Sequence, residues 1–197
     1  FSQKYPSQLF LTAGEHEFVF RVTRESMLLG SVYLAPFAPS PTYAEYLAAN
    51  PAVDSSGVRS EMEAEFPSYK NDTSIRPVNS RSLEVTPYDT YKLLLNTMGG
   101  DSWDKSGSGV YYEFEVPQDG MYNITLRALQ NFKNNFTVFR KITIDGQLPY
   151  DELDQIRFPS STLWTNTTLG GDAPLKIYLT QGRHVLGIEA NDAPYYS

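Results

Sequence analysis

The chain lacks cysteine altogether across its 197 residues. Disulfide staples, thiolate metal sites and cysteine nucleophiles are excluded together. That absence suits a bacterial cytoplasm and equally a Gram-positive exterior. Histidine is scarce too, with two copies, so a zinc site lacks ligands of sufficient number. No apolar run approaches the roughly 20 residues that span a bilayer, and no signal peptide is recognisable. Basic residues are outnumbered 16 to 23, for a net charge of −7. Such a surface repels phosphate backbones, which argues against a nucleic-acid partner, and no basic run suggests an anionic membrane surface. The glycines of "MGGDSW" lack the lysine and the strand–helix context of a phosphate loop. The chain opens on Phe1 without methionine, and we expect it to be a piece of something longer.

What is present is apolar and aromatic. Hydrophobic residues make up 41% and aromatics 14%, with fourteen Tyr, eleven Phe and two Trp. This composition folds and favours strands. No long stretch has helical period. In "SGVYYEFEVPQDGMYNITLRALQ", Val110, Tyr112, Phe114 and Val116 alternate with polar neighbours up to the turn Pro117–Gly120. Tyr122, Ile124, Leu126 and Ala128 then resume the alternation, which predicts a hairpin with one buried face. "FRKITIDG" predicts another strand ending in the turn Asp145–Gly146, and "KIYLTQGRHVLGI" a final hairpin around Gln181–Gly182. Met62, Ala64 and Phe66 alternate with three glutamates, again at strand period. Short strands punctuated by Gly and Pro predict an all-β, antiparallel β-sandwich or barrel.

One pattern occurs twice. Leu11, Thr12, Gly14 and His16 fall on Leu179, Thr180, Gly182 and His184 at a constant spacing of 168. We expect a tandem β-domain of about 170 residues. Residues 1–38 are then tail strands of an upstream copy, with apolar runs at 8–22 and 27–34. Residues 39–57 form a Pro-rich linker with room for one short helix at Tyr43–Ala49, and 58–197 form the second sandwich. Residues 8–34 are expected to pack on that sandwich in place of a last strand. Both histidines follow hairpin glycines at equivalent positions and read as structural, which argues against a Ser-His-Asp mechanism. A glycosidase needs two convergent carboxylates, and composition alone does not decide that question.

The ordered strings "EAE" (Glu63–Glu65), "GVYYEFEVPQDGMYNITLRA", "ITIDG" and "YLTQGRHVLGIEA" resemble the jelly-roll carbohydrate-binding modules of the galactose-binding-like superfamily, families 6 and 35 especially. The resemblance spans about Glu61 to Asn191. Further likeness is to β-sandwich modules of extracellular Firmicutes proteins, some linked to sugar-uptake ABC transporters. It implies a jelly roll, a glycan or oligosaccharide ligand, an extracellular or cell-surface Gram-positive setting, other domains in the parent polypeptide, and no catalysis or membrane insertion. It also implies a structural calcium ion, for which Glu63 and Glu65 match the family position and Asp192 is a weak third ligand; the alternative is a solvated strand face. Calcium wants six to eight oxygens, so two glutamates supply only part of the shell.

A sugar offers an apolar C–H face and a rim of hydroxyls, which aromatic rings and planar polar side chains meet. Trp103, in the polar loop "GGDSWDKSGSG", is either a ligand platform or a lid over the core. Trp164, in "SSTLWTNTT", is either a platform or an inward residue of an edge strand. Arg127 and Arg140 flank the loop of Asn131, Asn134 and Asn135. They could grip a uronate or hydroxyls from neighbouring strands, or pair internally with Glu113, Asp145 or Glu152. Gln130 and Asn131 add amides, Tyr150 is a platform or a core cover, and Asn191 is a sugar contact by resemblance or a strand-end residue. The competing reading of the whole is a structural spacer that binds nothing.

Overall fold

A computed structural model describes residues 9–21, 23–24, 28–30, 32, 34, 39–132 and 135–195. The chain divides into two compact units, 1–39 and 40–197. In the first, the described residues form a bend at Ala13–Gly14 and no strand. The strands expected at 8–22 and 27–34 are not seen there, and part of both lies outside the described residues. Gly14 has φ 142°, a conformation glycine adopts freely.

The second unit begins with a helix, α1 (Tyr43–Ala49), followed by strands β1 (Tyr69–Lys70), β2 (Pro77–Val78), β3 (Thr97–Met98), β4 (Gly109–Val116), β5 (Gly120–Tyr122), β6 (Thr125–Ala128), β7 (Val138–Ile144), β8 (Ile156–Phe158), β9 (Thr165–Thr168), β10 (Ile177–Leu179) and β11 (Gly182–Asn191). All ladders between these strands are antiparallel. One sheet has the order β1–β4–β11–β7–β8, and the pairs β10–β5 and β6–β9 share its core. The architecture is the expected antiparallel β-sandwich. Among the described residues, no helix is long and apolar enough to cross a membrane.

The two expected hairpins are not hairpins. β4 pairs with β11, and β5 pairs with β10, so the chain leaves one sheet for the other at each turn. Together β4–β5 and β10–β11 make one long ribbon that bends at Pro117–Asp119 and Thr180–Gln181. The Gln181 amide donates to Asp119 Oδ1 at 2.6 Å across the bend, and Gly182 takes φ 128°. Leaving the local partner lets each apolar face meet the core from a different layer. The alternation itself is as expected: Val110, Tyr112 and Val116 are buried while Glu113 and Glu115 are exposed. Leu186 and Ile188 oppose Tyr112 and Val110 on one side and Ile144 and Ile142 on the other, and all are buried.

Two further expectations are corrected. The segment around Met62–Phe66 is not a strand. It turns at Ala64–Glu65, with the Phe66 amide donating to the Glu63 carbonyl at 3.3 Å. Residues 40–57 belong to the second unit and are not a free linker. Helix α1 forms as expected because Thr42 and Glu45 make a reciprocal capping box that satisfies the first orphan amides. The Glu152 carboxylate also accepts from the Tyr43 amide at 2.9 Å. The rings of Tyr43 and Tyr46 lie 4.9 and 4.8 Å from that of Tyr150. The Tyr178 amide donates to Tyr46 Oη at 2.9 Å, so β10 and α1 share one polar and one apolar seam.

Tyr150 sits at the centre of that seam, fully buried, donating to the Lys176 carbonyl at 3.0 Å. Tyr150→Ala should cost about 3–5 kcal/mol of unfolding free energy by cavity formation. Tyr150→Phe should cost about 1 kcal/mol, the net worth of one hydrogen bond. Denaturant melts of the two variants check both, and equal costs would contradict this assignment.

Candidate functional site

Arg127 and Arg140 do not converge. Arg127 is exposed on β6, where Thr125 and Arg127 face out and Leu126 and Ala128 face in. Arg140 shares the inward face of β7 with Ile142 and Ile144, which are buried. The two lie in different sheets because β6 pairs with β9 whereas β7 pairs with β11 and β8.

Arg140 is closed over by Trp103. Its guanidinium carbon stands 4.7 Å from the indole centroid, within range for a cation–π contact. Its nitrogens donate to the carbonyls of Phe139 at 2.9 Å and Trp103 at 3.4 Å. Burial lowers its pKa to about 10, with Tyr195 nearby opposing the shift, so it stays charged at neutral pH. None of Glu113, Asp145 or Glu152 is its partner here. Trp103 packs half-buried on the core, and its Nε1 donates to the Ser108 carbonyl at 2.9 Å. A Cβ on Gly99 would come within 2.9 Å of the indole, which explains a glycine there. Trp103 is thus a lid, and one ring face is already taken by Arg140.

Three other candidates are structural. Tyr150 is the buried core residue described above. Asn191, buried at the end of β11, donates through Nδ2 to the Asp154 carbonyl at 2.6 Å. Gln130, also buried, braces its own loop: Nε2 donates to the Phe136 carbonyl at 3.2 Å and Oε1 accepts from the Phe132 amide at 3.1 Å. Each spends on backbone the polar atoms that a sugar would need. Asn134 lies outside the described residues.

Glu63 and Glu65 are parted by the turn between them: Glu63 is exposed and Glu65 buried. Burial, with the like charges of Glu65 and Glu61, raises the Glu63 pKa. Both carboxylate oxygens of Glu65 are buried without a hydrogen-bond partner, a feature suited to a cation. Among the described residues, however, no three His, Cys, Asp or Glu side chains gather. Two glutamates alone supply only part of the six to eight oxygens that calcium takes.

The remaining candidates do come together. Arg127 is opposite Asn166 in the β6–β9 ladder and donates through Nη1 to Asn166 Oδ1 at 2.9 Å. Its Nε donates to the Glu84 carbonyl at 2.7 Å. The Glu84 carboxylate accepts from the Trp164 amide at 3.3 Å. Trp164, half-buried, directly precedes β9 and stands two positions before Asn166. Thr125 and Thr168 add paired hydroxyls, Oγ1 to Oγ1 at 2.8 Å. The result is an outward cluster of a fixed guanidinium, an amide, a carboxylate and two hydroxyls, which Trp164 joins through its backbone amide. Sequence reasoning missed Asn166 and Glu84, although Asn166 sits in the same "WTNTT" string as Trp164.

Two more surface features were not anticipated. Tyr69 and Tyr111, cross-strand partners, stack with centroids 4.5 Å apart on the outer face of the five-stranded sheet. Burial, then the Glu189 hydrogen bond, raises the Tyr111 pKa. An open groove of about 420 Å³ is lined by Val58, Arg59, Ser60, Glu115, Pro117 and Gln181, among others, with no aromatic ring.

His184 lies between Asp145 and Thr180, whose Oγ1 stands 3.4 Å from its Nε2. Its Nδ1 meets Asp145 Oδ2 at 2.7 Å, and its Nε2 meets the Thr180 carbonyl at 2.9 Å. Both ring nitrogens are spent on closing the ribbon.

No protein-family model matches the chain, and no curated relative matches it either. Among solved structures, it is similar to a cycloisomaltooligosaccharide glucanotransferase from Paenibacillus sp. complexed with cycloisomaltoheptaose, at 19% identity and TM-score 0.49, over 70% of this chain and 17% of that one. It is also similar to a family 35 carbohydrate-binding module from an environmental isolate, at 13% identity and TM-score 0.35, over 58% and 73% of the two chains. A third likeness is to the family 35 module of Cellvibrio japonicus Abf62, at 16% identity and TM-score 0.33, over 58% and 72%.

Trp103→Ala should lower stability by about 3 kcal/mol, near the low end for an aromatic-to-alanine change, as read by denaturant melts. The His184–Asp145 contact should make stability pH-dependent. Burial alone would lower the His184 pKa, but the bonds to Asp145 and Thr180 raise it overall. A raised histidine pKa adds stability below the unfolded-state value near 6.5 and loses it as pH rises through the folded value. Thermal melts from pH 5.5 to 8.5 should therefore show a decline that Asp145→Asn removes.

Proposed function

We propose that the chain is a non-catalytic glycan-binding module of a secreted or cell-surface bacterial protein. The observation that supports this is the Trp164–Glu84–Arg127–Asn166 patch on the outer side of β6 and β9. An indole can cover the C–H face of a pyranose while the planar guanidinium, amide and carboxylate meet its hydroxyls. Two hydrogen bonds already hold the guanidinium, so less rotamer entropy is lost on binding. Trp103 and Arg140 support the patch only indirectly, by closing the core. Other domains of the parent polypeptide are the expected partners, and a weak single site gains from tethering through effective concentration.

The test is tryptophan fluorescence during titration with neutral and acidic oligosaccharides, in the Trp103→Phe background so that Trp164 is the reporter. A saturable shift is expected, lost in Trp164→Ala. Arg127→Ala should weaken binding about tenfold, since a charged hydrogen bond contributes on the order of 1.5–3 kcal/mol. Calcium and chelator arms should leave the affinity unchanged. A flat response on folded protein across all glycans would leave the spacer reading standing.

A further inference from the structure

We infer that residues 9–21 are the closing ribbon of a first copy of this same sandwich, and that their apolar side is an interaction surface for the β4- and β7-type strands of that copy. The inference is independent of the glycan reading.

The sequence correspondence of Leu11, Thr12, Gly14 and His16 with Leu179, Thr180, Gly182 and His184 is matched in geometry. Gly14 and Gly182 have φ 142° and 128°. His16 Nε2 meets the Thr12 carbonyl at 2.8 Å, and His184 Nε2 meets the Thr180 carbonyl at 2.9 Å. A histidine ring reaching back four residues across a glycine turn is a specific arrangement, and both copies make it. Identical residues in a shared turn geometry are the signature of a repeated unit.

Burial then shows what the first copy lacks here. Leu179, Leu186 and Ile188 are 3%, 3% and 8% exposed, covered by the sandwich. Their counterparts Leu11, Phe18 and Phe20 are 42%, 39% and 58% exposed. Three large apolar side chains exposed on one short segment are costly in water. In the second copy β11 lies between β4 and β7, which names the occupant: two strands of that type, on chain preceding Phe1. His16 points to the same answer. His184 Nδ1 is held by Asp145, 39 residues earlier, in the Asp–Gly turn after β7. Among the described residues, no carboxylate holds His16. The occupant should carry an aspartate–glycine turn at the corresponding distance before His16.

The test compares the 1–197 chain with a longer polypeptide that includes the preceding residues of the parent. Amide hydrogen exchange across 9–21 should slow at least 100-fold in the longer chain, while 182–191 stays as it is. His16→Ala and Asp→Asn at the matching upstream turn should each partly undo that protection, and together do no more than either alone. Unchanged fast exchange, or a preceding segment without the strand and Asp–Gly pattern, would overturn the inference. So would concentration-dependent protection of 9–21 in the 1–197 chain with a dimer mass by light scattering, since a second copy of this chain would then be the occupant.

Discussion

The fold depends on one bent ribbon. β4–β5 and β10–β11 run antiparallel along their whole length, yet each crosses from one sheet to the other at the same level. The bend needs a backbone that turns sharply and polar groups that remain satisfied while it does. Gly182 supplies the positive φ, and Asp119 accepts the Gln181 amide that the ladder gives up there. His184 and Asp145 close the ribbon against the turn after β7, with the Val185 amide donating to Asp145 Oδ1 at 2.8 Å. The inward residues of β4, β5, β10 and β11 take their sides from this crossing, because a strand's faces are set by register.

The same crossing sorts the charged and aromatic residues into two populations. Arg140 lies on the inward face of β7 and is acceptable there because carbonyls and an indole surround it. A buried cation without such neighbours would cost several kcal/mol. Arg127, in the other layer, faces out and holds Asn166 and Glu84. One arginine therefore closes the core with Trp103, and the other organises a surface beside Trp164.

The buried Glu65 runs against this economy. Its carboxylate has no hydrogen-bond partner, and the turn that buries it carries Glu63 outward. The stacked Tyr69–Tyr111 pair shows the opposite case, in which an edge strand of two residues is anchored by ring contact beyond its few ladder bonds.

The sequence by itself determined the longer strands of 109–191, their core faces and the short helix, but not the strands expected at 8–34 and Met62–Phe66. Val110, Tyr112 and Val116 alternate because a pleated backbone alternates, and Thr42 with Glu45 caps α1 through contacts three residues apart. The repeated Leu-Thr-x-Gly-x-His turn was legible for the same reason, since it is a local geometry. Only the tertiary structure decided which strands pair. Apparent hairpins at Pro117–Gly120 and Gln181–Gly182 look alike whether the chain folds back or crosses over, and the choice lies with long-range burial. For that reason Tyr150, Gln130 and Asn191, polar-tipped and next to loops, were open as sugar contacts until packing buried them. Arg127 and Asn166, 39 residues apart in the chain, met only once β6 and β9 were joined.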